Sequence, residues 1–402
     1  MTDTDDATKS FETVSRWFTK VGSHLPGPLR RVLKSLRSGP GITSRPREVP
    51  TLPGPDPGDL RAVVYLPTWA RWDKMRQRPQ YLMRAFAAAG HPAYFVDPRE
   101  PSPRYVDGVH IVPSLSHVPR SGVILMVHFA PLRELFDLFD DPVIVYDIHD
   151  DLTIYDPDEI DVPPERRVIA HHGTVIAVAD VTIVSQDVLG DRHRSEAPDL
   201  LVVENGVDSA AFRAPSAVPG DMPDTGGPVI GYHGALSYWF DFDLVHDLAL
   251  MRPGWRFVLV GPVLPAARGE VIRIAALDNV HLLGEKPSDN IPAYVQRFDV
   301  GLIPFRIDTM TEAVSPLKLF EYLAVPVPVV STPLPAAIQA QIVRTAQDPD
   351  DFVVAIEAAL DDRGSPEFLK HASIEVEHAE WSSRIEPILT RLDALGDLRV
   401  PE

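Results

Sequence analysis

The amino-acid sequence predicts an α/β protein: two doubly wound, parallel-sheet, Rossmann-like domains behind a short basic N-terminal extension. Three observations lead there. Short runs rich in Val, Ile and Leu alternate with helix-length segments. The runs are apolar throughout rather than at every second residue, which marks parallel strands covered on both faces. The alternation runs its course once, breaks at a Pro/Gly-rich stretch, and restarts.

Taken in order, Arg61–Pro67 (RAVVYLP) reads as the first strand, Met75–Ala89 as a helix stopped by Gly90, and His91–Asp97 as the second strand. Gly122–His128 and Pro142–Asp147 are strands with a helix between them at about 131–139. Asp180–Ser185 is followed by a helix from Gln186, and Leu200–Glu204 closes this half ahead of Asn205-Gly206-Val207-Asp208. In the second half Pro228–Tyr232, Trp255–Val260, Val280–Leu283 and Val300–Pro304 are strands, with Asp241–Leu250 helical. The helix Pro316–Ala324 then leads into the strand Val327–Ser331, and Asp348 caps a late helix. The expected organisation is an extension and linker over 1–60, a domain over 61–212, and a linker over 213–228. A second domain over 229–375 and a C-terminal segment over 376–402, crossing back to the first domain, complete it. In such sheets ligands bind at the carboxyl ends of the strands, so a cleft between the two halves is the expected site.

Composition narrows the function classes. A length of 402 residues suggests two or three domains at about 100–200 residues each. Hydrophobic residues at 45% exclude disorder over most of the chain. With no cysteine there is no disulfide framework, thiol nucleophile or cysteine-held metal. A formal net charge of −19 argues against general nucleic-acid binding. No apolar run reaches the roughly 18 residues of a membrane span and no secretory signal opens the chain, so a cytoplasmic location is expected. The local exception to the acidity is residues 11–40, which carry six basic residues against Glu12. Phe11, Val14, Trp17, Phe18 and Val21 share one helical face there. Residues 11–37 therefore read either as a basic amphipathic segment on the inner, anionic face of a membrane or as helices packed on the body or a partner.

Several enzyme classes leave no trace. There is no Gly-x-Ser-x-Gly, no phosphate-loop Gly-x4-Gly-Lys-Ser/Thr, no Gly-x-Gly-x-x-Gly after the first strand and no His-Glu-x-x-His. His171 and His172 are neighbours on a helix and point about 100° apart, so they do not share a metal. The informative stretch is 312–332. Pro316 suits a first helical turn with Ser315 as N-cap, and the free amides of that turn, with Leu317 among them, form an anion cradle. Lys318 adds a cation, and Glu321, at i+3, a carboxylate able to accept two ribose hydroxyls. The alternative is a surface Lys–Glu pair worth a few tenths of a kcal/mol, and the residues alone leave the two readings balanced.

This stretch resembles the donor-binding segment of group-1, family-4-like glycosyltransferases of the GT-B fold, with Glu321 on the second glutamate of their Glu-x7-Glu motif. VVENGVD (202–208), GPVIGYHGALSYWFDFDLVHDLA and VHLLGEKPSDNIPAYVQRFDVGLIPF extend the likeness in the right order. MRQRPQYLMRAFAAAGH and VYDIHDD are similar to a branch that makes cell-surface polysaccharide of the teichuronic-acid type. Ala313 stands where the motif has its first glutamate, with Glu312 one residue out of register. Ala235–Trp239 replaces the usual basic pair, and Val325 the usual glycine.

The resemblance implies transfer of a sugar, with retention, from a UDP-, GDP-, ADP- or dTDP-sugar to a glycan or lipid-linked acceptor, with no metal or cofactor required. Lys318 and the Gly234 amides would meet the diphosphate, joined by Arg76 or Arg78. His149, after the strand PVIVYD, falls near the family's active-site histidine, with Asp150 placed to hold the acceptor. His128 and His233 end neighbouring strands and are further contacts, and Trp69 and Trp72 either stack on a sugar or fill the core. The rival readings are a degenerate module that binds without turnover and a sugar-nucleotide epimerase.

Overall fold

The computed structural model describes residues 60–152, 168–223 and 226–396; the basic segment 11–37 lies outside them. The described chain forms two units. The first holds residues up to Trp72, Arg76–Val203 and the chain from Ile385; the second holds Asp73–Met75 and Glu204–Arg384.

The first unit contains β1 (Ala62–Tyr65), β2 (Ala93–Val96), β3 (Arg104–Val106), β4 (Val109–Val112), β5 (Val123–Val127), β6 (Val143–Ile148), β7 (Val181–Val184) and β8 (Leu201–Val202). They lie in the order β3-β4-β2-β1-β5-β6-β7-β8, parallel except for β3. β1, β5 and β6 are buried along their whole length, which is why they read as continuous apolar runs. The β3–β4 hairpin was not expected. Asp107 (φ 54°) and Gly108 (φ 81°) both take the left-handed backbone that a tight two-residue hairpin turn needs. The segment expected as an α-helix at 131–139 is a 3-10 helix, Ala130–Leu138, with Pro131 in its first turn.

The second unit contains β9 (Val229–His233), β10 (Arg256–Val260), β11 (Val280–Gly284), β12 (Val300–Ile303), β13 (Val329–Ser331) and β14 (Arg344–Thr345). Their order is β11-β10-β9-β12-β13-β14, all parallel. This is a doubly wound sheet whose strand order reverses between β9 and β12; in the first unit the reversal falls between β1 and β5. The stretch 213–228, expected as the linker, does not mark the boundary, which falls at Val203/Glu204. The chain beyond that point is tied into the second unit: Gln296 Nε2 donates to the carbonyls of Phe212 (2.8 Å) and Ala214 (2.7 Å), and Arg213 Nε to that of Ala324 (2.9 Å). Asp348 caps the helix Pro349–Asp362 through the Asp351 amide, as its sequence position suggested. Among the described residues no helix is long and apolar enough to cross a membrane.

Two glycines let aromatic rings close on the second sheet. Gly231 of β9 and Gly301 of β12 are register partners. A methyl group on Gly301 would lie 2.3 Å from the Tyr322 ring, and one on Gly231 2.1 Å from the Phe298 ring. Tyr322 belongs to the helix Leu317–Ala324, and its hydroxyl accepts from the His233 amide (3.1 Å). The missing Cβ at Gly301 thus sets the distance between that helix and the end of β9.

In the first unit a buried ion pair does the pinning. Arg78 opens the helix Arg78–Ala88, where Pro79 sits in the first turn and Gln80 accepts from the Gln77 amide (3.1 Å). Its Nε donates to Asp147 Oδ1 (2.8 Å) on β6 and its Nη1 to the Val203 carbonyl (2.7 Å) beyond β8. Both charged side chains are fully buried. Arg78 was expected as a phosphate contact; its guanidinium instead joins a helix to two strands. Arg76, the other expected phosphate contact, places Nη2 3.3 Å from Asp107 Oδ2 on the β3–β4 turn.

Gly301→Ala should cost about 1–3 kcal/mol, because Tyr322 must move off the sheet; chemical denaturation of the two proteins measures it. Asp147→Asn should cost about 3–5 kcal/mol at neutral pH by leaving Arg78 buried without its counter-charge. Burial raises the Asp147 pKa, but Arg78, His149 and His128 outweigh it and hold the carboxyl well below the ordinary range. A depressed folded-state pKa gives stability that is present above the unfolded value and lost as pH falls. Wild type should therefore weaken below about pH 4 and Asp147→Asn should lack that component. Denaturant melts across pH check both.

Candidate active site

The second unit gathers its functional groups where β9 ends. The helix Leu317–Ala324 starts one residue later than expected, with Pro316 in the N-cap position and no side-chain cap. Ser315, expected as that cap, is engaged elsewhere: its hydroxyl accepts from the Asn205 amide (3.2 Å) and its carbonyl from Asn205 Nδ2 (2.6 Å). The first-turn amides are consequently left without a side-chain acceptor, the arrangement that favours an anion.

Lys318 lies in that turn. Its ammonium sits 4.7 Å from the centre of the Phe305 ring and 5.3 Å from that of Tyr232, an aromatic seat. Burial pulls its pKa down to about 8, against the opposing pull of Glu321. Glu321, one turn on and buried, places Oε2 3.0 Å from His233 Nε2, joining the helix to the end of β9. Gly234 follows His233 with φ 131°, and a methyl there would press on Lys318 Cε and the Tyr232 hydroxyl, each at 3.2 Å. Gly261, at the end of β10 with φ 153°, lies directly on the Gly234 carbonyl. Two glycines back to back keep this strand end open to close approach by a ligand. Of the expected donor residues, Gly234, Lys318 and Glu321 are brought together, and His233, expected as an acceptor or phosphate contact, joins them. Ala313 is buried in a short turn, Thr311–Ala313, and Glu312 beside it is exposed, so Glu312 does not take over the missing glutamate's place.

The first unit gathers a second group at the ends of β5 and β6. The His128 and His149 rings stack with centroids 3.6 Å apart. Trp69, from the loop after β1, stands edge-on to His128 (4.6 Å) and tilted to His149 (5.9 Å). Trp72 packs on Phe95 in the core, which settles its two readings. Asp147 organises the group. Its Oδ2 accepts from the Tyr65 hydroxyl (3.0 Å) and lies 3.3 Å from His149 Nδ1, while its backbone carbonyl accepts from His128 Nδ1 (2.9 Å). Burial, with His149 alongside, pushes His128 far below the ordinary imidazole pKa and keeps it neutral. Asp150, half-buried, brings Oδ2 within 3.7 Å of His149 Nε2.

Sequence reasoning missed Asp147, Tyr232, Phe305 and Arg99. Asp147 had a visible signal, a lone acid closing an apolar strand. Arg99 holds the Trp69 loop by donating to the carbonyls of Trp69 (3.0 Å) and Ala70 (2.5 Å) while paired with Asp97 (2.5 Å). His172 faces Tyr146 (2.8 Å) and His193 (3.2 Å) rather than a partner shared with His171.

Residues 227–362 match the family model described as glycosyl transferases group 1. TuaH of Bacillus subtilis (strain 168), whose name assigns it to teichuronic acid biosynthesis as a glycosyltransferase, is 31% identical over 196 residues, 46% of this chain and 49% of its own. The chain thus spans about half the length of this curated relative. Among solved structures, sucrose-phosphate synthase of Thermosynechococcus elongatus superimposes with a TM-score of 0.63 at 14% identity, over 84% of this chain and 99% of that one. Anabaena HepE, solved with UDP and glucose, gives 0.58 at 14% identity, over 83% of this chain and 100% of its own. The chain therefore has the GT-B fold of two Rossmann-like units, and its residues 227–362 resemble the group 1 glycosyl transferases.

Proposed function

We propose that the protein moves a sugar, with retention at the anomeric carbon, from a nucleotide-diphospho-sugar to a hydroxyl of a glycan or lipid-linked acceptor in cell-surface polysaccharide synthesis. The observation that carries this reading is the end of β9. An uncapped helix N-terminus, a lysine with no carboxylate in ion-pair range among the described residues, and two facing glycines are assembled there, with Glu321 a turn behind. That set suits a diphosphate and the ribose next to it. HepE, whose fold this chain shares, was solved with UDP, which supports a nucleotide as the ligand.

The second unit's residues hold the donor. Lys318 and the first-turn amides neutralise the charge that grows on the departing diphosphate, the step at which electrostatic stabilisation lowers the barrier most. Glu321 accepts from the ribose hydroxyls. On the first unit, His149 and Asp150 contact the transferred sugar and the acceptor, with Trp69 as an apolar wall. No step uses a basic residue at Ala235–Trp239, so Lys318 bears more of the diphosphate than in relatives that keep one.

A second reading, nucleotide binding without turnover, is favoured by buried Ala313 in place of the motif's first glutamate. Assays over UDP-, GDP-, ADP- and dTDP-sugars with a glycan acceptor separate the two, and product analysis without acceptor detects an epimerase. Transfer is the expected result; saturable binding with no new glycosidic product overturns it.

Glu321→Gln should weaken nucleotide binding by about 1–3 kcal/mol, the worth of a buried charge-assisted hydrogen bond, as read by calorimetry. The Lys318 ammonium, at about 8, is charged below that pH and neutral above it. Nucleotide affinity should hold below pH 8 and then fall up to about tenfold per pH unit, with Lys318→Met flat over the same range.

A further inference from the structure

We infer that His149 and Asp150 select an uncharged sugar: they take a ring that offers hydroxyl protons and turn away one that carries a carboxylate. This rests on the reading of the β6 end as a sugar contact and names the class of sugar it takes. The hydrogen bonding fixes what the two side chains present. His149 Nδ1 lies 3.3 Å from Asp147 Oδ2, an ionised oxygen that only accepts, so Nδ1 carries the proton and Nε2 is left as a lone pair. That Nε2 stands 3.7 Å from Asp150 Oδ2. A protonated Nε2 would close on the carboxylate to hydrogen-bond length, whereas two acceptors facing each other stay apart. His128, stacked on His149 with centroids 3.6 Å apart and 3% exposed, is kept neutral by its burial and backs the ring without adding charge.

The donors around the pair are spent on the protein itself. Ser185 Oγ donates to the His149 carbonyl (2.9 Å), Trp69 Nε1 to Gln77 Oε1 (3.3 Å) and Arg192 Nη1 to Asp151 Oδ2 (3.1 Å). What remains at the strand end is the lone pair of His149 Nε2, the negative charge of half-buried Asp150, and the Trp69 ring tilted against His149 at 5.9 Å. Such a surface has one chemical preference. A sugar hydroxyl brings the proton that either acceptor needs, and two neighbouring hydroxyls serve both. A uronate carboxylate in the same place brings a second negative charge and no proton, at a site where partial burial weakens the screening by water. The apolar C–H face of the ring finds the indole in either case, so the discrimination falls to His149 and Asp150.

The test is saturation-transfer NMR on the full chain at neutral pH, with methyl glucoside, methyl galactoside and methyl mannoside, each set against its own uronate. The expected result is binding of at least one neutral sugar, about tenfold or more tighter than its uronate, as one uncompensated like charge predicts. Asp150→Asn removes the charge and supplies an amide donor, so it should bring that uronate to within a few-fold of its neutral partner. This is a gain of binding, which neither misfolding nor a purely structural Asp150 produces. Binding of none of the neutral sugars, a uronate that matches or exceeds its neutral partner on wild type, or no gain in Asp150→Asn overturns the inference. UDP binding is measured in parallel by calorimetry. It reports on Lys318 and Glu321, so failure of the sugar selection and failure of the nucleotide reading are told apart.

Discussion

A single buried carboxylate, Asp147, organises the first unit. It closes β6, and around it converge the guanidinium of Arg78, the hydroxyl of Tyr65 and the imidazole of His149, while its backbone carbonyl takes the proton of His128. An ionised acid in the interior is tolerated only when its charge and lone pairs are met. Meeting them here fixes a helix, three strand ends and the tautomers of both histidines together. The candidate site of this unit is thus a by-product of satisfying one acid.

The second unit meets the same positioning problem on another basis. Its constraint is steric. Gly301 lets Tyr322 lie flat on the sheet, the Tyr322 hydroxyl grips the backbone of His233, and Glu321 on the same helix turn reaches the His233 ring. Lys318 is held by aromatic faces rather than by an acid. A lysine already paired with a carboxylate would have to exchange that partner for an incoming phosphate, and this one has less to give up.

Much of the frame was legible. Strands buried on both faces have an unmistakable pattern, and the restart of the alternation after residue 228 reveals the second sheet. What failed to show was anything decided by distant contacts. Ser315 looks like a helix cap until Asn205, 110 residues away, claims it. Arg78 looks like a free cation among basic neighbours until Asp147, 69 residues on, captures it. The β3–β4 hairpin is a different case, since Asp107-Gly108 is a strong local turn signal inside a segment too short to read as two strands. Of the candidate site, the residues at strand ends could be named from the sequence because doubly wound sheets place ligands there. Tyr232 and Phe305 were not, because an aromatic on an apolar strand is indistinguishable from core.

The loop after β9, Ala235 to Trp239, can now be seen for what it is. It leaves the sheet at a pair of abutting glycines, and the strands beneath it are held by their own ladder and by Phe298 and Tyr322. The loop is fastened back at once: Leu236 bridges to Val263, donates to the Pro262 carbonyl and accepts from the Leu264 amide (2.9 Å each), and the Ala235 carbonyl accepts from the Tyr232 hydroxyl (2.9 Å). A loop anchored at its first residues can exchange its exposed ones, Tyr238 among them, while the strand end below keeps its shape.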